Sequence, residues 1–205
     1  MKYRFLLLLA FVFFTAFTPP KLKPVKLSNT VTVSLPADFK VMPDELIAAR
    51  YPAPRKPLGA FTSPNGQVDF IASERPSTFQ PGDLALLQQF YRTAITSKYS
   101  EVNFIREEVK EINRQKYIIF EFTSTLRDEE RRTNKLAPIR KYTLVQYTIA
   151  KDNTRDQDRD PAKMRDKDKV TDKLLVFTFN APIDLKEAWQ ETARKIMQTI
   201  KLTSS

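Results

Sequence analysis

One stretch, Lys116 to Leu126 (KYIIFEFTSTL), constrains the fold more than any other part of this chain. Successive side chains of a strand point to opposite faces. The apolar side chains of this stretch fall on both: Tyr117 and Ile119 on one face, and Ile118, Phe120 and Phe122 on the other. A strand that is apolar on both faces is typical of the middle of a sheet with cover on each side. The pattern therefore predicts a central strand.

The remaining segments follow two periodicities. Strands are predicted where apolar or β-branched residues alternate, and helices where apolar residues recur every three or four positions. The further strands are 30–35, 59–63, 67–73, 101–112, 139–151 and 173–180, and the helices are 44–51, 83–99 and 184–202. Asn65-Gly66 favours a tight hairpin turn, and Asn113-Arg114 is too short for anything but an antiparallel connection. The order predicts an α+β fold: an antiparallel sheet of about six strands covered by helices on both faces, as a three-layer α/β/α sandwich.

The two long helices are each predicted to pack an apolar stripe on the sheet. Asp83 is placed to cap the free amides of the first one. Its stripe is expected to be Leu84, Leu87, Tyr91 and Ala94, broadened by Leu86, Phe90 and Ile95. In the last helix Trp189, the single tryptophan of the chain, is expected to fill the core.

The amino terminus has the layout of an export signal. Lys2 and Arg4 precede an apolar run from Phe5 to Phe17, which is short of the roughly 20 residues that span a bilayer. We expect an export signal over 1–18, or an N-terminal anchor if it is retained, and then a proline- and lysine-rich tether over 19–29. A single domain is expected over 30–205, with a charged, solvated insertion at 151–173.

The composition excludes several kinds of chemistry. The chain has no histidine and no cysteine, so histidine-dependent nucleophiles and zinc sites made of histidine or thiolate ligands are ruled out. Histidine is also the commonest proton-transfer residue near neutral pH, which makes an enzyme the less favoured class, and no cofactor is expected. The net charge of +10 favours an anionic partner. Nucleic acid is not expected, and membrane contact is expected only if the N-terminal segment stays uncleaved.

Six cations form the candidate binding site. They cluster around the connection between two predicted central strands, where they could share one edge and dock an anionic partner. Asp128, Glu129 and Glu130 partly neutralise them, so a plain solvated loop is an alternative interpretation. The six are Arg127, Arg131, Arg132, Lys135, Arg140 and Lys141.

Acidic residues offer two further alternatives. Glu121 lies inside the apolar central strand, where a buried carboxylate needs a cationic partner from a neighbouring element. Structural pairing is favoured there, while a carboxylate-dependent hydrolase acting on an envelope polysaccharide is the alternative. Asp156, Asp158 and Asp160 alternate as in a calcium loop, but the glycine and the distal glutamate of such a loop are missing. No metal site is therefore predicted.

The order of elements resembles a PsbP-like domain, a group that also includes the bacterial periplasmic DcrB-type proteins and a Ran-binding nuclear factor. The resemblance is carried by VSLPADF within 31–39, FTSPNGQVDFIAS at 61–73, VNFIREEVKEINRQKYIIFEFTSTL at 102–126, and LVFTFNAP feeding AWQETARKIMQTI at 175–200. It implies an α/β/α sandwich with no shared active site, which serves to bind and stabilise larger assemblies. The expected function is that of an exported, non-catalytic binding or accessory protein of the bacterial cell envelope, docking an unknown protein or an anionic envelope polymer.

Overall fold

The computed structural model describes residues 20–126, 138–151 and 172–203. In chain order its elements are β1 (Leu22–Lys26), β2 (Val31–Pro36), β3 (Lys40–Val41), α1 (Asp44–Arg50), β4 (Gly59–Thr62), β5 (Asp69–Pro76), α2 (Leu84–Lys98), β6 (Glu101–Ile112), β7 (Gln115–Leu126), β8 (Ile139–Ala150), β9 (Lys173–Pro182), a short 3-10 helix (Ile183–Leu185), α3 (Lys186–Gln198) and β10 (Lys201–Leu202). Among these described elements, no helix is both long enough and apolar enough to cross a bilayer.

The strands form two antiparallel sheets. The larger has seven strands in the order β3-β4-β5-β9-β8-β7-β6, and the smaller has three in the order β1-β2-β10. The α+β class is confirmed, and the larger sheet contains six of the predicted strands together with the two-residue β3, while the first predicted strand, β2, lies in the smaller sheet. The sequence did not reveal that β2 leaves the main sheet, because partner choice depends on contacts between residues far apart in the chain.

The predicted burial of both faces of β7 is confirmed, but its predicted position in the middle of the sheet is wrong, because β7 lies beside the edge strand β6. Tyr117 and Phe120 are both 0% exposed, although they point in opposite directions. Tyr117 and Ile119 belong to a first cluster of buried apolar residues, which includes Ala193, Ile196 and Met197 of α3. Ile118, Phe120 and Phe122 belong to a second cluster, which includes Leu87, Tyr91 and Ile95 of α2. We call the corresponding sides of the larger sheet the first face and the second face.

The segment predicted as a tether over 19–29 contains a paired strand, so that prediction is wrong for Leu22–Lys26. β1 pairs with β2 in antiparallel register, and Leu22 and Val25 pack against the first cluster. Pro24 is tolerated because β1 is an edge strand, where a missing N–H breaks no ladder on the outer side. Proline and lysine content alone therefore gave a misleading indication.

The predicted turn at Asn113-Arg114, which joins β6 to β7, is confirmed. These residues have φ of 52° and 65°, and positive φ at both central positions is the geometry of a two-residue hairpin turn. A turn also forms at Asn65-Gly66, but it differs from the predicted one. Of these two residues Gly66 alone has positive φ, at 69°, and the turn is closed by a hydrogen bond from the Gly66 N–H to the Ser63 oxygen at 2.8 Å.

The predicted stripe of α2 is too wide. Leu87, Tyr91 and Ile95 are buried, but Leu86 and Phe90 are 58% and 53% exposed. The reason is geometric: neighbouring helix positions differ by about 100°, so a helix lying on a sheet at one side buries a narrow stripe. The cap prediction is also wrong, because Asp83 accepts a hydrogen bond from the backbone N–H of Gln80 at 3.0 Å and caps no amide of α2 with its side chain.

The last predicted helix ends earlier than expected, at Gln198, and Lys201–Leu202 pair with β2 as β10. The Thr199 hydroxyl, which accepts from the backbone N–H of Ser34 at 2.8 Å, joins this end of the helix to β2. Trp189 is half-buried at the margin of the first cluster, with its ring centroid 5.6 Å from that of Phe39.

Candidate functional site

Glu121, the carboxylate within the apolar part of β7, is fully buried on the first face. Arg194 of α3 donates to both of its oxygens, from Nε to Oε2 at 3.1 Å and from Nη2 to Oε1 at 2.8 Å. Gln190 Nε2 donates to Oε1 at 2.6 Å, and the Tyr142 hydroxyl donates to the same oxygen at 3.2 Å. Arg106 of β6 adds an ion pair at 3.2 Å. The predicted need for a cationic partner is thus met by two arginines.

This environment determines the protonation state of Glu121. Burial raises the pKa of its carboxyl, but hydrogen bonds from Arg194 and Gln190 and the charges of Arg194 and Arg106 outweigh burial, so the pKa lies below the ordinary value. The same hydrogen bond raises the pKa of Arg194. A carboxylate that stays ionised and already accepts from several donors is poorly suited to deliver or remove a proton. Glu121 links α3 and β6 to β7 through its ion pairs with Arg194 and Arg106.

The second face is covered unevenly. In one cross-strand row, Ile71 is buried in a small cluster with Ile47 of α1, whereas Val145 and Phe120 are buried in the second cluster under α2. Thr178 lies between the two and is half-exposed. Strand register gives the row as Ala60, Ile71, Thr178, Val145, Phe120 and Glu107.

The same asymmetry runs along β9. From Leu175 onwards its first-face residues are buried, namely Leu175, Phe177, Phe179 and Ala181. On the second face Val176, Thr178 and Asn180 are half-exposed, as is Ser73, which lies opposite Val176 on β5. We call Ser73, Val176, Thr178 and Asn180 the open strip. The hydroxyls of Ser73 and Thr178 make no hydrogen bond within the described part of the chain.

A hydrogen-bonded network lies at one end of the open strip. The Tyr51 hydroxyl donates to Asp69 Oδ2 at 2.7 Å, and Arg50 pairs with the same carboxylate at 3.0 Å. Asn180 Nδ2 donates to the Tyr51 oxygen at 3.4 Å, and the Thr143 hydroxyl donates to Asn180 Oδ1 at 2.9 Å. Burial, reinforced by the charge of Asp69, raises the pKa of Tyr51 well above its usual range. This end therefore presents neutral hydrogen-bonding groups and an arginine whose charge is balanced.

Aromatic side chains and a second arginine lie at the other end. The rings of Tyr91 and Tyr147 are stacked with centroids 3.9 Å apart, and Tyr147 is the cross-strand neighbour of Val176. Arg75 lies 5.4 Å over the Tyr91 ring and donates to its hydroxyl. The exposed Phe90 contacts Tyr91 edge-on, at 5.1 Å between centroids. This end is cationic and apolar.

Of the six predicted binding cations, Arg127, Arg131, Arg132 and Lys135 lie outside the described residues, as do Asp156, Asp158 and Asp160. Arg140 and Lys141 are both exposed at the start of β8. As neighbours in a strand they point to opposite faces. Arg140 lies opposite Thr125 on the first face, while Lys141 lies two residues before Thr143 on the second. Only Lys141 of this pair therefore borders the open strip.

The sequence analysis missed the open strip, although part of the signal was present. In LVFTFNAP the apolar residues Leu175, Phe177 and Phe179 alternate with Val176, Thr178 and Asn180. This alternation is typical of a strand with one solvated face. The contributions of Arg50, Asp69 and Arg75 could not be seen, because they depend on which strands become neighbours.

The architecture defines the class of protein: an α+β domain with the PsbP-like fold, as the resemblance in the sequence implied. LpqN of Mycobacterium tuberculosis, involved in cell envelope biogenesis, superimposes with a TM-score of 0.54 at 11% identity, over 90% of this chain and 91% of LpqN. Cyanobacterial PsbP (CyanoP) of Synechocystis gives 0.52 at 9% identity, over 89% and 92%. The Ran-binding protein Mog1p of Saccharomyces cerevisiae gives 0.50 at 10% identity, over 89% and 96%.

At this level of identity the likeness concerns the fold alone. No protein-family model and no curated protein sequence matches the chain.

Proposed function

We propose that this protein is an exported, non-catalytic binding or accessory protein of the bacterial cell envelope, which docks a protein or an anionic envelope polymer. The observation that carries the proposal is the open strip, where a central strand of a seven-stranded sheet leaves one face half-exposed between two helices. Ligand sites typically combine apolar walls with a few unpaired polar groups. Two proteins of the same fold support this reading: LpqN, involved in cell envelope biogenesis, and Mog1p, which binds Ran.

The proposal of a non-catalytic role rests on Glu121. The alternative, a carboxylate-dependent hydrolase, needs one carboxyl group that holds a proton and another that attacks or activates water. Glu121 faces two arginines and a glutamine instead, with its pKa lowered. If any hydrolytic turnover of an envelope polysaccharide is detected, Glu121→Gln should leave it unchanged. Loss of that turnover in a folded Glu121→Gln variant would favour the hydrolase hypothesis instead.

We also infer a three-layer α/β/α arrangement, because α3 and α2 contribute to separate clusters that contain alternate residues of β7. Of the six predicted cations, Lys141 takes part in the proposed docking surface, because it lies on the same face as the open strip.

Site-specific photocrosslinking in intact cells tests the docking proposal. A photoreactive phenylalanine analogue at Phe90, which is 53% exposed beside the open strip, should yield one defined crosslinked envelope component. The same analogue at Ile105, 41% exposed on edge strand β6, is the matched control and should not yield it. Equal crosslinking at both positions, or none at either, would contradict the proposal.

Export is tested separately by mass spectrometry of the mature chain. A protein that begins near Pro19 has lost its signal, whereas an intact Met1 in the membrane fraction indicates an anchor. An intact chain in the cytosolic fraction would overturn the export part of the proposal without touching the docking part.

A further inference from the structure

The open strip, together with the rows that flank it, forms a floor for an extended chain. One flanking row contains Lys141 and Pro182, and the other contains the exposed Arg75 and the buried Leu174. Pro182 and Leu174 are eight positions apart in β9, so at about 3.3 Å per residue the two cationic rows are about 26 Å apart. An extended segment of about eight residues has the same length.

The exposed floor is one strand wide. Ile71, under α1, and Val145, under α2, are separated by the single residue Thr178 in their row. Two strand spacings of about 4.8 Å place these residues roughly 10 Å apart. An extended chain matches a floor one strand wide better than a helix, which is about 10–12 Å across with its side chains.

Exposed cations flank the floor. Arg75 and Lys141 are exposed at opposite ends. Asp69, on the same face, is 5% exposed and paired with Arg50. Alternation places Glu74 on the first face, whereas Asp172, which is half-buried, falls on the second face near Arg75. Among the described residues the exposed charges of the floor are therefore mainly positive, and an acidic occupant complements them.

Between its two cationic ends, the floor offers both apolar and polar groups to a ligand. Val176 and the exposed ring of Phe90 offer apolar surface, and the free hydroxyls of Ser73 and Thr178 offer hydrogen bonds. Backbone amides of an extended chain can use those hydroxyls, while an apolar side chain of the same segment can contact Phe90.

On the basis of the proposed function, we infer that the open strip binds an extended, acidic polypeptide segment of about eight residues with at least one large apolar side chain. The segment lies between α1 and α2, with its acidic residues towards Arg75 and Lys141. An anionic polysaccharide is the competing occupant, disfavoured because the apolar surface at Phe90 and Val176 then has no apolar partner.

Nuclear magnetic resonance titration of the full mature chain tests this inference. The probe is a pool of octapeptides that contain two to four Asp or Glu and one Phe or Leu, and the control pool carries Lys in place of every acid. The acidic pool should shift the amides of Ser73, Val176 and Thr178, and the lysine pool should not. Shifts confined to β6 or to the first face, or none at millimolar peptide, overturn the inference.

Matched variants keep the test independent of overall charge. Thr178→Arg places a long side chain on the floor and should weaken binding of the acidic pool at least tenfold. Thr93→Arg adds the same side chain and charge on the exposed side of α2 and should not weaken it. If Thr178→Arg unfolds the chain, Arg75→Glu with Lys141→Glu replaces it and should also give at least a tenfold loss. Unchanged binding in the folded floor variant overturns the inference.

The two proposals can fail separately. If the envelope component crosslinked at Phe90 is still captured by the Thr178→Arg variant, docking stands and the acidic-peptide floor is wrong. If the crosslinked component is instead a polysaccharide that the acidic peptides do not displace, the acidic-peptide inference is overturned, while the docking function remains.

Discussion

Arg194 of α3 and Glu121 of β7 form a two-point contact, in which both oxygens of the carboxylate accept from one guanidinium at 3.1 and 2.8 Å. Glu121 is 0% exposed, and the side chain of Arg194 is 33% exposed. The pair thus joins a buried position of β7 to the surface of a helix 73 residues further along the chain. Such bidentate contacts fix orientation as well as distance. The pair therefore helps to orient α3, which also packs Ala193, Ile196 and Met197 into the first cluster.

Removal of Glu121 should be severely destabilising. Glu121→Ala leaves Arg106 and Arg194 without their shared anion, and breaking a buried ion pair typically lowers the free energy of unfolding by about 3–5 kcal/mol. Because both arginines are partly exposed and can regain water, we expect about 3 kcal/mol, measured by urea denaturation. A double-mutant cycle with Arg194→Ala should give a coupling of about 2 kcal/mol. Additive losses would show that the contact seen here contributes little.

The Glu121 carboxylate should make the free energy of unfolding depend on pH in the acidic range. Its folded pKa lies below the ordinary value of 4.5, so its stabilising contribution is complete above that pH and is lost as pH falls through the folded pKa. The wild-type free energy of unfolding should therefore decline more steeply below pH 4.5 than that of Glu121→Gln, which cannot titrate. Thermal unfolding of both chains between pH 6 and pH 3 measures the difference. Parallel curves would contradict the lowered pKa.

The turn between β6 and β7 offers a stabilising substitution. Arg114 has φ of 65° and is exposed, and a non-glycine residue in this region is strained by roughly 1–2 kcal/mol. Glycine relieves the strain but makes the unfolded chain more flexible, so Arg114→Gly should gain about 0.5 kcal/mol. Asn113→Gly is the matched control. It should gain nothing, because Asn113 Nδ2 donates to the backbone oxygen of Ile200 at 2.7 Å.

Neighbouring leucines of α2 should respond very differently to truncation. Leu87 is 0% exposed in the second cluster, and Leu87→Ala should lower the free energy of unfolding by about 3 kcal/mol. Leu86 is 58% exposed, and Leu86→Ala should change it by less than about 0.5 kcal/mol. Chemical denaturation of the two variants measures both values. Similar losses would mean that α2 packs on the wide stripe expected from the sequence.

Local patterns predicted local features well. Asn65-Gly66 and Asn113-Arg114 indicated tight turns because few residues accept positive φ. The alternation in β7 indicated two covered faces because side chains of a strand must alternate. Glu121 indicated a cationic partner because a carboxylate cannot be buried alone. Each inference depends on a property of a few adjacent residues.

Features that depend on distant residues were predicted poorly. The proline-rich segment that includes β1 looked like a tether, because its partner β2 and the cluster beneath it are not visible in its own composition. Leu86 and Phe90 looked like core residues, because helical periodicity gives a direction within the helix but not the width of the surface it meets. The predicted cations Arg140 and Lys141 looked like one group, but the pleat of β8 separates them.

The sequence by itself determined the kinds of element, the turns between adjacent strands, and the chemistry that a chain without histidine or cysteine cannot perform. Only the tertiary structure decided which strands became neighbours, which arginines met Glu121, and where the sheet was left open beside Thr178. The physical reason is the range of the interactions. Backbone conformation and side-chain alternation are set within a few residues, whereas burial and ion pairing are set by segments that meet only when the chain has folded.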